Sequence, residues 1–157
     1  MKRNIVRRML ANLAFAVMLM ALLPTAYGQN CSLARAAGKY AFNDSGTVVN
    51  VGPRVATGIF TLDAAGNLVN GKATSSLDGT LADEVFSGPY TVNSDCTGTF
   101  ALDVFDPSSG KLIFTAKLNL AWDDNMRELR FIFTSATPAN GPPLETVING
   151  DARKLVP

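Results

Sequence analysis

The chain has 157 residues, with 14 Lys+Arg against 13 Asp+Glu and no histidine. Without imidazole, Ser-His and Cys-His nucleophile systems and histidine-based metal catalysis are excluded. Lys2, Arg3, Arg7 and Arg8 hold four of the basic residues, so the rest carries 10 Lys+Arg against 13 Asp+Glu, net −3, and no basic patch interleaved with aromatics suits nucleic acid.

Residues 1–28 read as an export leader. The basic start is followed by an uncharged apolar run from Met9 to Leu23, then Pro24 and the small-residue pattern Ala26-Tyr27-Gly28, which suits cleavage before Gln29. The run is short beside the ~20 apolar residues of a membrane span; a retained anchor is the alternative. Asn30 before Cys31 does not suit lipidation. Residues 29–157 are then expected as one exported domain, periplasmic or secreted. Cys31 and Cys96, the only cysteines, are expected to form a disulfide, with free thiols or pairing between chains as alternatives. Two thiolates make a poor metal site. No phosphate-cradling Gly-Lys motif or Gly-x-Ser-x-Gly elbow is present, and neither metal nor cofactor is expected.

The first element, residues 32–37, reads as a helical turn or two with Ser32 as cap. A phrase of Gly, any residue, aromatic, Ala/Thr, apolar, Asp/Asn then recurs as GKYAFN (38–43), GIFTLD (58–63), GPYTVN (88–93) and GTFALD (98–103). Its period of two marks half-buried strands that end in turns. Residues 111–122 set Leu112, Phe114, Ala116, Leu118, Leu120 and Trp122 on one face, and residues 126–134 do the same with Leu129, Phe131 and Phe133. Strands are predicted over residues 38–48, 54–63, 67–76, 83–93, 97–105, 111–122, 126–135 and 144–155.

Eight strands with short connections predict an all-β, antiparallel up-and-down barrel, with a two-sheet β-sandwich as the alternative. Pairing Tyr40 with Gly58 and Phe42 with Ala56 would cover small residues with rings and set Asp44 opposite Arg54. Parity puts the turns at 63–67, 93–97 and 123–125 at one end, the bottom, together with Cys31, so the disulfide would draw residues 31–37 across it as a plug. The loops near 49–53, 77–82, 106–110 and 135–143, expected to be longer, ring the other end. Lys111, Lys117 and Arg130 on the outer face argue against an outer-membrane barrel.

The phrases GKYAF, GIFTLDAAGN, GPYTVNSDCTGT and FIFT…INGDARK resemble a group of small secreted bacterial proteins of unassigned function, over most of residues 29–157. Their architecture is similar to the lipocalin and allene-oxide-cyclase type of barrel. The resemblance implies that shape and no activity. The Gly-x-Trp phrase of lipocalins is absent, and no cyclase catalytic residue is carried over.

The candidate ligand-binding residues are Arg54, Asp44, Phe86, Phe114 and Phe133. Arg54 and Asp44 fall on the inward parity near the open end, where an arginine could meet an acidic ligand group; the alternative is a surface ion pair at the rim. Tyr40 and Tyr90 read as core anchors. The adjacent carboxylates Asp83-Glu84 face opposite ways, and Asp123-Asp124 lie in a turn, so neither pair suits acid–base work. Three functions remain: a barrel holding a small apolar or amphipathic ligand, a structural or surface-interaction protein with a filled core, and a histidine-independent isomerase or cyclase. The last requires a buried carboxyl or phenol with no structural partner.

Overall fold

The computed structural model describes residues 31–155 apart from residue 124, and the expected leader lies outside the described residues. Helix α1 (Leu33–Ala36) precedes β1 (Gly38–Val48), β2 (Gly52–Leu62), β3 (Asn67–Leu77), β4 (Thr80–Val92), β5 (Thr97–Phe105), β6 (Leu112–Trp122), β7 (Glu128–Pro138) and β8 (Thr146–Lys154). Each strand pairs antiparallel with its neighbour in the chain and β8 closes onto β1, giving a closed eight-stranded barrel rather than a sandwich. The period-two pattern does what it predicts: on β5, Gly98, Phe100, Leu102 and Val104 turn inward and the residues between them face solvent or are only partly covered.

The β1–β2 register differs from the expected one by two residues. Tyr40 lies opposite Phe60 and stacks on it at 5.3 Å and 11°, while Phe42 lies opposite Gly58. The expected pairing set each ring against a small residue, but a parallel ring stack outweighs that local match. A two-residue slip keeps every side chain on its face. Arg54 therefore pairs with Gly46, and Asp44 with Ala56.

Glycines make room for the rings. A Cβ on Gly58 would stand 2.8 Å from the Phe42 ring, and one on Gly150 would stand 2.5 Å from Phe131. Both positions also press against the backbone of the next strand, so the close coiling of a small barrel needs glycine there.

The bottom turns share one design. In each, an amide three residues after the turn's first residue bonds back to that residue's carbonyl: Gly66 to Asp63, Cys96 to Asn93 and Met126 to Asp123. Those three residues have φ of 92°, 67° and 54°. In this left-handed conformation Cys96 and Met126 point beneath the barrel and are buried, and a Cβ on Gly66 would meet Leu33 of α1 at 3.6 Å. That is why a turn carries a cysteine: the position faces the plug. Cys31 is bonded to Cys96, with Cα atoms 5.1 Å apart.

The plug is also hydrogen-bonded. The Tyr40 hydroxyl donates to the Ala36 carbonyl at 2.8 Å, Lys154 Nζ donates to the Arg35 carbonyl at 2.8 Å, and Ser32 caps α1. Tyr90 donates to the Asp63 carbonyl at 2.6 Å and lies 3.3 Å from the Leu33 carbonyl. Both tyrosines are core anchors, and burial pushes each phenol up to about 12. At the other end the expectation of longer loops fails for two of the four, and the 49–53 segment is one of them, since Val48 pairs directly with Gly52. The 77–82 segment is the other, a tight turn in which Leu77 pairs directly with Thr80 across Asp78-Gly79.

The disulfide closes a loop of sequence separation 65. In the chain-entropy account that is worth about 4 kcal/mol. Cys96→Ser should lower the unfolding free energy by up to that amount in urea titrations, while the top of the barrel keeps its structure. A midpoint unchanged from wild type would show that the clamp adds nothing to the plug's hydrogen bonds.

Candidate functional site

Four consecutive strands each turn one polar side chain inward near the top: Asp44 on β1, Arg54 on β2, Ser75 on β3 and Glu84 on β4, all buried. Strand tilt brings diagonal neighbours together across the interior. Arg54 Nη1 donates to Glu84 Oε1 at 3.0 Å and Nη2 to Oε2 at 3.1 Å, a bidentate fork, and Ser75 Oγ donates to Oε1 at 2.7 Å.

Asp44 is less well served. Its Oδ1 stands 3.6 Å from Arg54 Nε, an ion pair too long for a good hydrogen bond, and neither atom has a hydrogen-bond partner although both are buried. Burial raises the Asp44 carboxyl to about 6; Arg54 opposes that shift and the Glu84 carboxylate adds to it. The guanidinium shows the converse balance, with burial opposing its charge while Glu84 and then Asp44 hold its pKa above the ordinary value.

These groups border an apolar cavity of about 40 Å³, ringed by Phe42, Phe60, Phe86, Phe100, Phe114, Phe131 and Phe133. Above it lies an open vestibule of about 190 Å³ formed by Val48, Leu77, Ile113, Ala136, Pro138, Leu144 and Ile148. Arg54, Phe114 and Phe133 line both spaces and form the partition between them, with the guanidinium 5.7 Å from the centre of the Phe114 ring.

The vestibule exists because β7 and β8 part company. They pair only from Glu128↔Arg153 to Ile132↔Asn149. A register shift against β6 between Phe133 and Ser135 then turns β7 away, and the chains meet again only at the Ala136↔Leu144 bridge.

The five candidate residues, Arg54, Asp44, Phe86, Phe114 and Phe133, therefore surround one cavity. One expectation is corrected. The Asp44–Arg54 pair is enclosed in the barrel and is not a surface rim pair, because both residues keep the inward parity. The end of Arg54 also has a partner already within the barrel, since each of its terminal nitrogens donates to Glu84. Glu84 itself was missed as a site residue. The pair Asp83-Glu84 does face opposite ways, with Asp83 outside accepting from Thr74 Oγ1 at 2.8 Å. Its parity with Phe86 was the available signal that Glu84 points inward.

No protein-family model and no curated protein sequence matches the chain. Among solved structures the chain is similar to a redesigned β-barrel, mFAP1, bound to DFHBI, at 15% identity and a TM-score of 0.49, over 78% of this chain and 98% of that one. It is similar to the S-type phycobiliprotein lyase CPES from Guillardia theta at 10% identity and a TM-score of 0.44, over 80% of this chain and 91% of that one. The values for Rv2717c from M. tuberculosis are 14% and 0.43, over 79% and 95% of the two chains. Likeness at this level concerns the barrel and transfers no activity.

The Asp44 carboxyl gives the site a pH signature. Folded, it keeps its proton to about pH 6, whereas an unfolded aspartate loses it near ~3.9. Between those values the folded state binds more protons, so this contribution to stability is full below the lower pKa and is lost as pH rises through the upper one. The two-unit difference corresponds to on the order of 2–3 kcal/mol. Asp44→Asn should therefore be more stable than wild type by roughly that amount at pH 7.5 and nearly equal to it at pH 4. Paired denaturation curves at the two pH values check this, because the exposed turn aspartates cancel in the difference.

Proposed function

We propose that the chain is an exported barrel that holds a small amphipathic ligand through its open end. In this reading residues 1–28 are the export leader, residues 29–157 are the single mature domain, and the Cys31–Cys96 bond suits an oxidising compartment such as the periplasm or the exterior. The barrel shape is of the lipocalin type. Asp44, Arg54, Phe86, Phe114 and Phe133 are the contact residues, with Glu84 fixing Arg54.

One observation carries the reading: a desolvated carboxylate oxygen and a guanidinium N–H, both without hydrogen bonds, sit behind an apolar vestibule. Burying charge costs several kcal/mol per ion unless it is fully paired, and an apolar isostere is often neutral or stabilising. A structural barrel with a filled core gains nothing from Asp44. A ligand site does, because the polar atoms orient a molecule whose apolar part fills the vestibule.

The inner cavity holds little more than water, so a ligand body would occupy the vestibule or displace Phe114 and Phe133 to reach the interior. Titration with the neutral fluorophore N-phenyl-1-naphthylamine should give saturable binding. Ala136→Phe, which places a ring in the vestibule from the buried face of β7, should weaken it at least about tenfold (1.4 kcal/mol) with the thermal midpoint nearly unchanged. Absence of saturable binding to wild type, together with no small molecule in native mass spectra of protein from its own host, would favour the filled-core structural reading.

A further inference from the structure

Resting on that reading, we infer that the ligand's polar end is a hydroxyl, carried by an alcohol or phenol, and neither a carboxylate nor an ammonium group. The argument is the inventory of what the buried cluster leaves unpaired. Each terminal nitrogen of Arg54 already donates to Glu84, and Glu84 Oε1 also accepts from Ser75. The buried atoms of the cluster left with no partner at all are one donor, Arg54 Nε, and one acceptor, Asp44 Oδ1, only 3.6 Å apart.

The complement of an adjacent donor and acceptor is a single group that accepts and donates at once. A hydroxyl does this through one oxygen, taking the Nε–H and giving its own proton to Oδ1. A carboxylate would accept from Nε but has no proton for Asp44, and it would bring a third negative charge beside Asp44 and Glu84. An ammonium would donate to Asp44 but has no lone pair for Nε, and it would press a second cation against the guanidinium. Charge count agrees, since a neutral head leaves the existing pairs undisturbed. The surrounding rings of Phe114 and Phe133 and the aliphatic lip of Leu144 and Ile148 suit an apolar body attached to that head.

Octanol, octanoate and octylamine share a tail and differ in the head, so calorimetric titration of wild-type protein at neutral pH separates the cases. Octanol should bind at least about tenfold more tightly than either charged analogue, as expected for a hydrogen bond to an ionised group. Asp44→Ala should abolish that preference, and Asp44→Asn, which keeps an acceptor oxygen in place, should restore part of it. Melting curves of both variants confirm that they fold. Equal or tighter binding of octanoate or octylamine to wild type overturns the hydroxyl assignment and leaves ligand binding standing, as does an octanol preference that survives in Asp44→Ala. Failure of all three to bind removes the ligand reading and this inference with it.

Discussion

Eight strands enclose so little space that several of the large inward rings need a gap on a neighbouring strand. The molecule meets that constraint with glycine. Phe42 lies over Gly58, Phe86 over Gly71, Trp122 over Gly98 and Phe131 over Gly150. Each pairing lets a ring lie nearly flush with the wall, and the rings then meet one another across the interior, as in the edge-on contact of Phe60 with Phe100 at 5.9 Å. The lower interior is solid as a result, with Leu62, Leu68, Met126 and Leu129 almost wholly buried. Only the upper third, where the inward residues change from rings to Asp44, Arg54, Ser75 and Glu84, has chemistry other than packing.

The two ends of the barrel treat their polar groups in opposite ways. At the bottom, Tyr40 and Tyr90 reach the carbonyls of the plug and of the 63–67 turn, and their hydroxyls are consumed in holding α1. The disulfide reinforces the same closure. At the top, the fork between Arg54 and Glu84 is complete but Asp44 is left over. Tyrosine hydroxyls and a disulfide close one end and an unpaired carboxylate–guanidinium contact marks the other, which gives the barrel a direction that its strand pattern alone does not have.

Most of the architecture was legible because a barrel's alternation is written directly into period two. GTFALD (98–103) turns Gly98, Phe100 and Leu102 inward, as read, and the parity argument placed Cys31 and Cys96 on one rim. The β1–β2 register was not legible, since a slip of two residues leaves each face unchanged and only the ring stack of Tyr40 on Phe60 decides it. The site was half legible. Arg54, Asp44 and the three phenylalanines follow from parity, whereas Glu84 was set aside with Asp83 as one of two carboxylates facing apart. That the inner one meets Arg54 depends on strand tilt, which no linear pattern encodes. The vestibule depends on a bulge at Phe133–Ser135, and alternation predicts continuity there.

The Asp44 environment bears on why the cluster has this composition. Arg54 with Glu84 and Ser75 is a self-contained unit: bidentate, short and neutral. Adding a second carboxylate to such a unit lowers stability at neutral pH, since burial and the Glu84 charge both work against its ionisation. A leucine at the same inward position would pack against Phe42 and Phe114 without that cost. A residue that costs stability where the rest of the wall is optimised for packing has the character of a functional group, because consistency between local choice and fold is ordinarily broken only at sites. At the top of the barrel the break falls on one oxygen of Asp44 and one nitrogen of Arg54, and the seam between β7 and β8 opens beside them. An apolar approach that ends on an unmet donor and acceptor is the feature on which the proposed recognition of one polar group rests.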